Sequence, residues 1–60
     1  MNLSEYIALL ESQLEMLKEA QQEAFDGGYY GDVAELNKQI RITGLWIFQA
    51  RNEADKNESR

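Results

Sequence analysis

ITGLWIF, residues 42–48, decides the fold class, because the same seven residues read two ways. Ile, Thr, Trp and Phe favour strands, but a strand needs a partner and no second convincing strand is present in the chain. The flanks carry helical spacing instead. Val33, Leu36, Ile40, Thr43, Ile47, Ala50 and Ala54 follow at alternating three- and four-residue steps, the period that returns side chains to one face of a helix. ITGLWIF therefore reads as the middle of a helix that is apolar nearly all round, through Ile42, Leu45, Trp46, Ile47 and Phe48. Something must cover it.

Toward the N-terminus lies LSEYIALLESQLEMLKEAQQEAF, residues 3–25, free of Gly and Pro and rich in strong helix formers. Leu3, Ile7, Leu10, Leu14, Leu17, Gln21 and Ala24 form a heptad seam, with Ile7, Leu14 and Gln21 at a and the others at d. Asn2 can cap the first turn, with Glu5 three residues on as in a capping box. Leu9 and Met16 at c, and Tyr6 and Ala20 at g, widen the apolar sector to roughly 160°, enough to touch two neighbouring helices. Glu11, Glu15 and Glu19 at e, b and f are expected on the solvent side, with Glu15 placed to pair with Lys18.

Between the two segments stands AFDGGYYGD. Gly27 or Gly28 can take the left-handed conformation that ends a helix, and Asp32 reads as the N-cap of the next one, with Glu35 completing a second capping box. The pattern predicts one all-α domain over 1–60: helix 3–25, turn 26–31, helix 32–52 and a polar tail 53–60 that frays. Helices of roughly 34 and 30 Å joined by a short turn must lie antiparallel. The expected fold is an antiparallel helical hairpin that dimerises into a four-helix bundle.

Sixty residues without Cys or His exclude disulfides and the usual zinc ligands. A chain this short buries only about 60% of its unfolded surface, so self-association is the expected source of stability. The net charge of −5 is uneven. Residues 1–35 carry Glu5, Glu11, Glu15, Glu19, Glu23, Asp26, Asp32 and Glu35 against Lys18 alone, whereas Lys38, Arg41, Arg51, Lys56 and Arg60 outnumber the acids of the second half. Direct binding to nucleic acid or to anionic membrane, which needs clustered bases, is not expected. The start lacks the basic region of a signal peptide, and no apolar run approaches the ~20 residues of a membrane span; the expected location is cytoplasmic.

Catalytic, cofactor and metal sites are not expected, nor a small-molecule substrate. Glu11, Glu15 and Glu19 stack at four-residue intervals and could attract a hard cation, but on a solvated face without the inward carboxylates and His of di-metal bundles. Ser4, Ser12, Thr43 and Ser59 have no His or Cys to activate them; Thr43 sits at a core d position, where its hydroxyl can bond the preceding turn. GGYYGD lacks the spacing and the Lys of a nucleotide loop. Gln21, polar within the seam, either sets register or stays wet. Gly44, costing about 1 kcal/mol in mid-helix relative to Ala, reads as a point of close approach by another helix backbone. Tyr29 and Tyr30 either cap the open end of the bundle or present a low-entropy contact surface.

The run DVAELNKQI, residues 32–40, resembles in its hydrophobic spacing the start of the second helix in a family of small sporulation phosphatases. Where that family has a Ser-Gln-Glu-Leu-Asp signature, the positions here read Asn37, Lys38, Gln39, Ile40 and Arg41. A base replaces the functional acid, so that family's activity is not carried over to this chain.

Folding the hairpin about residue 28 or 29 places ITGLWIF level with the stretch from Tyr6 to Met16. Tyr6, Leu9, Met16, Ile42, Leu45, Trp46 and Phe48 are the expected oligomer interface. Tyr29, Tyr30, Glu11, Glu15 and Glu19 are the candidates for contact with a protein partner. The expected function is that of a non-enzymatic interaction protein: a self-associating hairpin, dimer or tetramer, that regulates or inhibits another protein, of a kind phages and other mobile elements encode. An assembly element of a larger complex is the alternative, with acidic mimicry of nucleic acid through Glu5, Glu11, Glu15, Glu19 and Glu23 a further one.

Overall fold

A computed structural model describes residues 2–58, with side-chain surroundings through residue 56. Two helices, α1 (Leu3–Asp26) and α2 (Tyr30–Glu58), pack against each other as a hairpin. ITGLWIF is helical throughout. At the start of α1 the Oδ1 of Asn2 accepts a hydrogen bond from the Glu5 backbone N–H at 2.8 Å, filling one of the donors a helix N-terminus leaves unpaired. The reciprocal bond of a capping box is not formed.

The turn is shorter than the sequence predicts. Gly28 takes φ +79°, which lets the chain reverse at once. The Tyr29 N–H reaches back to the Ala24 carbonyl at 2.8 Å and the Gly28 N–H to that of Phe25 at 3.1 Å, the paired bonds of a Schellman motif. α2 therefore opens at Tyr30, and the Val33 N–H already donates to the Tyr29 carbonyl at 3.1 Å. Asp32 is not the N-cap. It is the third residue of the helix, where its carboxylate lies near the positive end of the helix dipole. Glu35 closes no capping box and stands 3.9 Å from Lys38.

The far end of α2 also departs from expectation. The helix continues past Asn52 to Glu58, because Ala54 keeps the seam in register against the start of α1, and no Gly or Pro interrupts the helix formers that follow. Lys56 in the last turn suits the negative end of the dipole. Residues 59 and 60 of the expected tail lie outside the described residues.

The seam itself is as the spacing predicts. Leu3, Ile7, Leu14, Leu17, Gln21 and Ala24 of α1 are half-buried, as are Val33, Leu36, Ile40, Thr43 and Ala54 of α2. Only Leu10, Ile47 and Ala50 are buried outright among the described residues, and no side chain is fully enclosed. These three meet toward the end of the hairpin opposite the turn. Near the turn, Gln21 Nε2 donates to the Val33 carbonyl at 3.3 Å, so the polar residue in the seam ties the two helices together.

Two helices make a rod and not a globule. The principal extents are 49 × 15 × 13 Å and the radius of gyration is 14.2 Å, against ~10 Å for a compact chain of this length. The accessible area is 4812 Å², against ~4000 Å² for a compact monomer of this mass. The hairpin is under-buried by ~800 Å² on that scale.

Candidate interaction surface

Which side of the hairpin a side chain occupies follows from its angle around the helix, about 100° per residue. Because α1 and α2 run in opposite directions, positions that follow the seam on one helix lie beside positions that follow it on the other. Glu11 comes directly after Leu10, and Arg51 directly after Ala50. They meet as this rule requires, Arg51 Nη2 donating to Glu11 Oε2 at 2.5 Å. This is the Arg51 side of the hairpin. On the other side, Gln13, Met16 and Leu17 of α1 share a shallow open cleft with Gln39 and Thr43 of α2. Trp46, seven residues along from Gln39, stands on this Trp46 side.

The expected seven-residue interface divides accordingly. Tyr6, Leu9 and Met16 from α1, with Ile42 and Trp46 from α2, project on the Trp46 side, and all five are exposed, Met16 at 66% and Trp46 at 52%. Leu45 and Phe48 do not join them. Leu45 lies on the back of α2, where Lys38, Arg41 and Ile42 line a second shallow cleft with it, and Phe48 turns toward the Arg51 side. Both are more than 60% exposed. Seven residues at one level of the hairpin therefore form one five-residue face and two outliers.

The Trp46 side changes character along its length. Tyr6, Leu9, Met16, Ile42 and Trp46 gather from mid-length outward, away from the turn. Toward the turn, Glu23, Asp32 and Glu35 line an open cleft together with Ala20, Ala24, Leu36 and the ring of Tyr29. Among the described residues no acidic cluster is arranged to hold a metal ion.

The partner-contact candidates are scattered rather than gathered. The Tyr29 ring lies over Gly27, so close that a β-carbon there would stand 2.7 Å from it. Tyr30 packs instead on Phe25, edge to face, with ring centroids 5.9 Å apart at 69°, a favourable aromatic geometry. The two tyrosines thus brace opposite sides of the turn, and each remains about two-thirds exposed. Glu11 is not a free solvent-side carboxylate, being engaged by Arg51. Glu15 and Glu19 stay exposed, and Glu15 forms no ion pair with Lys18.

Gly44 is not explained by packing within the hairpin. Nothing lies within 4 Å of where its β-carbon would be, so α1 does not need the glycine in order to approach. Two features escape a reading of the sequence. Phe25 is exposed and forms the base for Tyr30; its place one residue after Ala24, on the flank of the seam, was the available signal. The acidic turn end of the Trp46 side comes from three residues distant in sequence, visible only once both helices are set on one angular scale. No described helix is long and apolar enough to cross a membrane. Compared with protein-family models, with curated proteins and with solved structures, the chain finds no match.

Proposed function

We propose that this chain is a non-enzymatic interaction protein: a helical hairpin that pairs with a second copy to form a four-helix bundle and, so assembled, binds and regulates another protein. The observation that carries this reading is the exposed apolar face of Tyr6, Leu9, Met16, Ile42 and Trp46. Contiguous patches of this kind mark interaction sites, and interface cores are enriched in Trp, Tyr and Met. The under-buried rod points the same way, since a two-helix chain lacks the layers that enclose a core. Pairing on the Trp46 side leaves Leu45 and Phe48, bordered by Lys38 and Arg41, on the outside of α2 for contact with a different protein.

Sedimentation velocity across a wide concentration range tests the reading. A mass that rises from one chain to a limit of two supports it. Growth without limit favours the assembly-element alternative, and a single-chain mass at every concentration overturns self-association and leaves the apolar face to a foreign partner.

A further inference from the structure

We infer that the second copy docks antiparallel on the Trp46 side, with the two turns pointing in opposite directions; this rests on the self-association proposed above. Two observations select the occupant and its orientation. The first is area. The ~800 Å² by which the hairpin exceeds a compact chain of its mass equals the ~800 Å² that one partner contributes to an interface of standard size. A second copy carrying the same face supplies a matching surface, as a two-fold contact requires.

The second is the division of that face along the rod. Counting out from the turn sets Ile42 level with Met16, and Trp46 between Leu9 and Gln13. A two-fold axis lying in the interface and crossing the rod at the level of Gln13 and Trp46 sets each helix antiparallel over its own copy and lays Tyr6 and Leu9 of one copy over Met16 of the other. Tyr6 then enters the open cleft between Met16 and Gln39, bringing ring and thioether together. The carboxylates of Glu23, Asp32 and Glu35 move to opposite ends of the bundle. A parallel two-fold instead stacks these acids on their own copies across ~10 Å, the separation of packed helices, and the juxtaposition of like charges opposes that docking.

The chain has no cysteine, so single nitroxide labels on Gln13→Cys and, separately, Glu23→Cys read the arrangement without background. Both positions are exposed, and circular dichroism of each labelled variant checks that the helices are retained. Glu23 lies about ten residues from the axis, which at 1.5 Å per residue separates its two copies by ~30 Å or more in the antiparallel dimer. The expected electron–electron distances are within ~20 Å for Gln13 and beyond ~30 Å for Glu23. Short distances at both positions overturn the orientation alone. A dimer with a long Gln13 distance overturns the face while self-association stands. A monomer by sedimentation overturns the reading beneath both.

Discussion

Replacing Gly44 with alanine should stabilise the protein, and the size of the gain follows from the structure. Gly44 is the middle residue of α2 (Tyr30–Glu58), where a glycine is about 1 kcal/mol less favourable than alanine. The penalty has two sources: the backbone freedom glycine surrenders on folding and the poorly shielded helix at that turn. A new β-carbon meets no atom within 4 Å, so no steric term subtracts from the gain. Gly44 also follows Thr43 in the seam and therefore lies on the Arg51 side, away from the proposed dimer face. A gain of about 1 kcal/mol raises the melting temperature by roughly 4–8 °C in a domain this small. Thermal melts followed by circular dichroism, at one protein concentration for parent and variant, provide the measurement. Gly28→Ala serves as the opposed control. Its β-carbon is likewise unobstructed, but φ is +79°, and an L-residue in the left-handed region loses roughly 1–2 kcal/mol. The same chemical change should thus move the melting temperature in opposite directions at the two sites. A Gly44→Ala protein that melts lower than the parent refutes the reasoning. It would mean that another chain occupies the space above Gly44, placing the dimer seam on the Arg51 side.

Trp46→Glu should yield a helical monomer in sedimentation, whereas Leu45→Glu, on the back of α2, should leave the association unchanged; a Trp46→Glu dimer of parental stability would remove Trp46 from the interface. The Glu11–Arg51 pair is exposed on both partners, so Arg51→Ala should lower stability by no more than ~1 kcal/mol, and added salt should shrink the difference; a large, salt-independent loss in denaturant titration would contradict this. Gln21→Ala removes the bond to the Val33 carbonyl and should lower stability by about 1 kcal/mol. An unchanged urea midpoint would show that water replaces that bond without loss.

The seam was readable from spacing alone, because burial in a two-helix rod is decided by angle around each helix and both seams repeat without interruption. Every seam residue named from the sequence is buried or half-buried in the hairpin. The helix limits were less readable. Asp32 has the chemistry of an N-cap, yet Gly28 closes the first helix so tightly that α2 begins two residues before it. At the other end, NEADKNE is polar in composition but free of helix breakers, and Ala54 anchors it to the seam. The interaction face was half readable. Counting from the turn gives the height of a residue on the rod, which groups Leu45 and Phe48 with Trp46. Separating them requires the angle as well, together with the rule that places Glu11 beside Arg51. Gly44 shows the opposite limit. Sequence exposes its local penalty, but the open space above it appears only in the folded hairpin.

The uneven fastening of the hairpin bears on how the chain assembles. The Gln21–Val33 link joins residues 12 positions apart, whereas Glu11 and Arg51, beside the buried trio of Leu10, Ile47 and Ala50, are 40 apart. Closing the longer loop costs only about 1 kcal/mol more than closing the shorter, less than burial of a single large aliphatic side chain returns, about 1.5–3 kcal/mol. The turn is thus the easy place to nucleate, and the stretch around Leu10 and Ile47 is the hard place to undo. Ordinary hairpins open from their free ends. Here amide hydrogen exchange should be slowest around Leu10 and Ile47, with the turn exchanging sooner, so that the molecule zips shut from the turn and is locked around its buried trio.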